Sequence, residues 1–206
     1  ESDTRVKLID PKIKESNWSE NNIVREYYFT DGRKLIGNKR GKRYFVDYLL
    51  TYKNTNLAII EAKAQTKDPL DGLQQSINYA QKLKIDFVYA TNGDKIYEHS
   101  LIEGSGRWIA EYPTPDELFE RKFGQIQFKE EKVITHPFYL SDKKPRFYQQ
   151  IAVQKSIESI ASGKNRILLT LATGTGKTYI AFQIVYRLFA SKWSKDGIGR
   201  RPRVLI

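Results

Sequence analysis

The amino-acid sequence predicts an α/β protein: a mixed sheet with flanking helices, followed by the opening of a parallel α/β domain. Three observations carry that expectation. Short runs rich in β-branched and aromatic residues alternate with a segment whose apolar residues recur at helical spacing. A glycine-rich loop stands between an apolar run and a second helical pattern. Charge is unevenly divided: residues 141–206 carry thirteen Lys and Arg against three Asp and Glu, whereas residues 1–140 carry twenty-two against twenty-one. Two domains are therefore expected, 1–140 and an incomplete 141–206, with the second the more suited to a polyanionic partner.

Taken in order, Thr4–Asp10 reads as the end of an opening helix, stopped by Pro11. Ile23–Thr30, Arg43–Lys53 and Asn56–Lys63 read as strands, with a hairpin turn at Asn54-Thr55 or over Asn54–Asn56. Asp68-Pro69 starts a helix in which Leu70, Leu73, Ile77, Ala80 and Leu83 share one face through Lys84. Asp86–Thr91, Lys95–Ile102 and Arg107–Tyr112 follow as strands, then a helix over Pro115–Phe123. Phe128–Lys144 shows no period and, with Asp142-Lys143-Lys144-Pro145, reads as a linker. Beyond it come a helix (Phe147–Ser162), a buried-type strand (Arg166–Ala172), the glycine-rich loop, a helix (Thr178–Ala190) and the start of a strand at Arg203–Ile206.

Composition narrows the function classes. The 206 residues include no Cys, which excludes disulfides, thiolate catalysis and Cys-based zinc sites. No apolar run approaches the ~20 residues that cross a bilayer, and no signal-peptide pattern opens the chain, so a cytoplasmic protein without a membrane partner is expected. The net charge is +11. Met is absent and the first residue is Glu, so the sequence is expected to be a fragment or to lack modified methionines.

Two constellations carry chemistry. In a strand, residues two apart share a face, so Glu61 and Lys63 point the same way, and apolar Ile59, Ile60, Ala62 and Ala64 surround them. A charged pair inside a buried strand needs a partner or a purpose. Depending on turn length, Asp47 falls opposite Ala62 or Lys63, within reach of both charged residues. Two such carboxylates can hold Mg²⁺, which lowers the pKa of a bound water, while Lys63 orients that water and stabilises charge on a phosphate. On the next helix Gln75 and Tyr79 lie four apart on one face, both able to bond phosphate or support the catalytic groups.

The second constellation is Ala172-Thr-Gly-Thr-Gly-Lys-Thr178, a P-loop in its proper place between strand and helix. Gly174, Thr175 and Gly176 would bring backbone N–H groups to phosphate, Lys177 would pair with the β/γ-phosphates, and Thr178 would ligate Mg²⁺. No Asp-Glu strand follows, so ATP hydrolysis is not expected of this chain alone.

Asp47…Glu61-x-Lys63 resembles the active site of the PD-(D/E)xK nucleases, with Val46 where proline is usual. Gln75-x-x-x-Tyr79 resembles the added motif of helicase-coupled members, and Glu1–Arg5 resembles their first helix. The P-loop, with Leu171 at a usual glycine, is similar to that of superfamily 2 helicases, as is Pro145-Arg-Phe-Tyr-Gln149, whose Gln149 would read adenine. Nuclease before motor resembles the R subunit of type I restriction–modification enzymes. The resemblance implies a restriction-endonuclease-like sheet followed by a RecA-like motor domain. It further implies an ATP- and Mg²⁺-dependent endonuclease acting on double-stranded DNA beside methylation (M) and specificity (S) subunits. Alternatives are another helicase-linked nuclease without such partners, or a DNA-binding ATPase with an inactive nuclease-like scaffold.

Overall fold

The computed structural model describes residues 2–30, 42–124, 128–139 and 145–195. Its contacts gather into two units: Glu1–Tyr52 with Asn56–Gly124, and Lys53–Thr55 with Gln125–Ile206.

The first unit is built on six strands that lie in the sheet in sequence order. They are β1 (Ile23–Thr30), β2 (Arg43–Tyr52), β3 (Thr55–Ala62), β4 (Phe87–Thr91), β5 (Ile96–Ser100) and β6 (Ser105–Ile109). β1 and β2 pair antiparallel, β3 and β4 parallel, and β4–β5–β6 antiparallel, so the sheet is mixed. The parallel pair forms its centre. Leu57 to Ile60 and Phe87 to Ala90 are all buried, as both faces of a parallel pair must be when a crossover covers one of them.

Two short helices, α1 (Ser2–Thr4) and α2 (Asp10–Glu15), precede the sheet, and the crossover is a 3₁₀ turn, Pro69–Gly72, followed by α3 (Leu73–Leu83). The Asp68 side chain caps the turn by accepting the Leu70 N–H at 2.9 Å. At the other end Lys84 adopts the left-handed conformation that stops a helix. α3 packs on β2 and β4. After β6, Thr114 and Glu117 form a capping box that starts α4 (Pro115–Phe123).

Three sequence expectations need correction in this unit. The opening helix does not stop at Asp10: a π segment, Arg5–Ile9, links α1 to α2. The Asp10 N–H bonds back to the Arg5 carbonyl, and Pro11 falls in the first turn of α2, where its missing N–H leaves no gap. The β2–β3 hairpin turns on Lys53 and Asn54, with φ of 47° and 59°, one residue earlier than expected. Two left-handed residues make the tight turn that matches strand twist. The last expected strand, Arg107–Tyr112, is instead Ser105–Ile109, because its register follows β5 rather than its own apolar residues.

The second unit holds α5 (Phe128–Ile134), α6 (Phe147–Ala161) and α7 (Lys177–Ala190), with α6 packed on both others. α5 lies in the stretch read as linker; two turns are too short for a period to emerge, yet they bury Val133 and Ile134. Arg187 of α7 is fully buried, donates to Gln154 Oε1 at 2.7 Å and lies 4.3 Å over the Phe138 ring. Burial lowers its pKa to about 10. Arg166–Ala172 is not a strand among the described residues, and Leu168 is 89% exposed. A parallel strand exists only through its neighbours, and no described segment pairs with this one. Arg203–Ile206 lies outside the described residues. None of the described helices is long and apolar enough to cross a membrane.

Candidate active site

The carboxyl ends of β3 and β4 bring the predicted charged residues together. Lys63 follows directly on β3, and its N–H donates to Thr91 O at the end of β4 at 2.8 Å, continuing the parallel ladder. Its ammonium then turns back on Glu61, with Nζ 2.8 Å from Oε1. On the neighbouring strand, Asp47 Oδ2 accepts the Ala62 N–H at 2.8 Å, which pins that carboxylate beside the Glu61–Lys63 pair. Despite the shifted hairpin turn, Asp47, Glu61 and Lys63 thus converge.

The Glu61 side chain is 11% exposed and that of Asp47 20%. Burial raises the pKa of Glu61; the Lys63 hydrogen bond opposes the rise and the nearby Asp47 charge adds to it, leaving the net shift upward. Two carboxylates pressed together in a partly buried place form an oxygen donor set for a hard divalent cation, and such a charge would relieve the strain on Glu61. The chemistry of the pair therefore fits Mg²⁺.

Three residues that the sequence reading did not single out complete the surroundings. Gly72 lies so close that a Cβ there would sit 2.8 Å from Lys63 Cε and 3.1 Å from Glu61 Cγ. Ser76, buried one turn later, donates to Gly72 O at 3.1 Å, and its hydroxyl dipole opposes the upward shift of Glu61. Arg5, in the π segment, donates to Asp47 Oδ1 at 3.3 Å. The glycine after Asp68-Pro69 was a readable sign of close approach; nothing local marks Ser76 or Arg5. Glu1 lies outside the described residues.

Gln75 and Tyr79 do share a face of α3. Gln75 Nε2 donates to the Tyr79 oxygen at 2.5 Å, and the Tyr79 ring packs against Phe29 and Tyr44. These contacts hold the pair to each other and to the β1–β2 aromatics rather than to the Asp47–Glu61–Lys63 group.

In the second unit the glycine-rich loop leads into α7. Gly174 and Gly176 have φ of 76° and 84°, the left-handed region that glycine enters without a steric penalty. Lys177 and Thr178 open the helix and are exposed, with Lys177 Nζ on Leu171 O at 3.3 Å. Gln149 is brought against the loop: it donates to Thr175 O at 2.9 Å and accepts the Arg146 N–H at 2.9 Å. A loop with two left-handed glycines at the start of a 14-residue helix fits a nucleotide phosphate.

Comparison with known proteins decides the kinship. The endonuclease subunit of the type I restriction enzyme EcoAI from Escherichia coli is 38% identical over 95% of this chain. A solved fragment described as an HsdR subunit of a type I restriction enzyme from Vibrio vulnificus matches 98% of it at 40% identity, with a TM-score of 0.88. The chain is a relative of type I restriction enzyme R subunits. The EcoKI endonuclease subunit of E. coli strain K12 is similar too, 26% identical over 75% of the chain. Residues 142–206 match the family model for the type III restriction enzyme res subunit. The chain spans 26% and 17% of the length of the two E. coli proteins and 40% of the solved chain.

Proposed function

We propose that this chain carries the nuclease centre and the first nucleotide-binding motifs of an ATP-driven type I restriction motor subunit. In this reading the first unit is a restriction-endonuclease-like domain that cleaves phosphodiester bonds of unmodified foreign DNA after translocation. The second unit opens a RecA-like motor. The partners are double-stranded DNA and the methylation and specificity subunits, and the setting is the cytoplasm.

The observation that carries the reading is the convergence of Asp47, from the middle of β2, with Glu61 and Lys63 at the carboxyl end of β3, the end at which open α/β sheets place their ligands. Asp47 and Glu61 would hold Mg²⁺, which supplies an activated water and Lewis acidity when bound. Lys63, held by the Thr91 carbonyl and by Glu61, presents an ammonium that can orient the attacking water and stabilise charge on the phosphate. Gln75 and Tyr79 would support the site from α3. Gly174, Thr175, Gly176 and Lys177 would cradle ATP phosphates, with Thr178 on the nucleotide Mg²⁺ and Gln149 at the base.

The test uses the full-length protein in its restriction complex. Asp47→Asn, Glu61→Ala and Lys63→Ala should each abolish DNA cleavage while leaving ATP turnover intact, and Lys177→Ala should abolish turnover and cleavage together. Retained cutting by all three nuclease-site variants would sink the assignment.

A further inference from the structure

Arg5 occupies a position that the nuclease reading does not explain. Its guanidinium bridges two carboxylates, Asp47 Oδ1 at 3.3 Å and Glu26 Oε1 at 3.4 Å. Both oxygens of Asp47 are thereby engaged, Oδ2 by the Ala62 N–H and Oδ1 by Arg5. The Ala62 donor is backbone within the sheet and cannot leave. Arg5 can, because it stands on a long side chain and its second partner reaches into solvent: the Glu26 side chain is 71% exposed, against 22% for Arg5 and 20% for Asp47.

The backbone sets up this second partner. β1 and β2 pair at Arg25↔Tyr48 and at Tyr27↔Val46, so Glu26 lies at the register position facing Asp47. Glu26 alone in β1 has a left-handed backbone, with φ of 51°, a conformation that is strained for a non-glycine residue. Arg5 likewise opens the π segment, a helix form found mostly where function requires it. Two local departures from regular structure therefore meet at one guanidinium.

We propose that Arg5 is a positioning residue that tunes the metal affinity of Asp47 by moving between Asp47 and Glu26. With no divalent cation bound, Arg5 neutralises Asp47 and limits its repulsion of Glu61. For a metal to take Oδ1, Arg5 must withdraw, and Glu26 receives it. The proposal rests on the reading of Asp47 and Glu61 as a metal site.

It makes a prediction of opposite sign for two neighbouring residues. Arg5→Gln removes the competitor, so Mn²⁺ should bind about threefold more tightly, the scale of a partly exposed ion pair. Glu26→Gln removes the receiving carboxylate, so Mn²⁺ should bind about twofold more weakly. The double variant should follow Arg5→Gln, because Glu26 acts only through Arg5. Mn²⁺ titration of the nucleotide-free full-length protein, read by electron paramagnetic resonance, measures all three, with Asp47→Asn as the blank and thermal melts confirming the fold. If Asp47→Asn binds as the wild type does, the metal-site reading fails and this proposal with it. If Asp47→Asn loses a site while Arg5→Gln binds no more tightly, or Glu26→Gln does not weaken binding, the Arg5 proposal is overturned and the metal site stands.

Discussion

Gly72→Ala would test whether the placement of Lys63, rather than its charge alone, matters to cleavage. Gly72 has φ −110° and ψ −1°, which alanine adopts freely, so the backbone does not object. The added Cβ does meet side chains, at 2.8 Å from Lys63 Cε, 2.9 Å from Nζ and 3.1 Å from Glu61 Cγ. Ordinary contact begins at 3.4 Å, so the lysine end must retreat by about 0.6 Å and Glu61 by about 0.3 Å. Lys63 can yield, since the contact is with the far end of a flexible chain; Glu61, on buried β3, yields less. Stability should therefore change by less than about 1 kcal/mol. Cleavage should fall at least about tenfold, because a misplacement approaching 1 Å can cost ~100-fold. Mg²⁺-dependent DNA cleavage by the full-length protein, set beside its thermal melt, reads both. A variant that melts normally and cuts within about twofold of the wild type would refute the reasoning.

Glu61→Gln should raise the melting temperature near neutral pH. The folded pKa of Glu61 lies above its ordinary 4.5, so its favourable contribution is complete below 4.5 and is lost as pH rises through the raised value. Gln is neutral throughout, so its advantage should vanish in melts at about pH 4 without divalent cations; an advantage that is absent at neutral pH, or grows on acidification, would contradict it. Arg121→Ala leaves the Glu98 carboxylate, 2% exposed, with Tyr89 and Arg107 but without its two-pronged Arg121 contact. Burial pushes Glu98 up, but Arg121 and Tyr89 hold it below 4.5 on balance, so this stability is present above 4.5 and lost as pH falls. Urea unfolding at neutral pH should show a loss of about 3 kcal/mol, shrinking in acid. Lys84→Gly, at an exposed left-handed helix end with φ of 55°, should gain about 0.5–1 kcal/mol in the same assay, and a loss would mean that the conformation is not strained.

What could be read from the sequence was what single segments require. β3 and β4 were legible because their apolar runs demand burial on both faces, and α3 because eleven residues suffice to show a face. The same signal misled at Arg166–Ala172. Apolar content states a need for neighbours and not their presence, and Leu168 stands exposed where no described strand meets it. The hairpin turn was misplaced because Lys53 is a poor advertisement for a left-handed residue. At the site, Asp47, Glu61 and Lys63 were legible because charges amid apolar strand residues are anomalous. Arg5 was not: its bond to Asp47 spans 42 residues, and nothing near it in sequence encodes that meeting.

The β3–α3–β4 crossover explains why the site is both costly and well placed. A parallel pair requires a connection that returns over the sheet, and here the turn at Pro69–Gly72 passes directly above the end of β3. That passage buries Glu61 and leaves little room for a side chain at residue 72. It also brings the Ser76 hydroxyl to the Gly72 carbonyl beside that carboxylate, while the Lys63 N–H sits on the Thr91 carbonyl of β4. The feature that raises the pKa of Glu61 is therefore the one that orients Lys63. Relieving it by Glu61→Gln should stabilise the fold and remove the proposed cation donor in one step, so the instability of this strand end would follow directly from the chemistry proposed there.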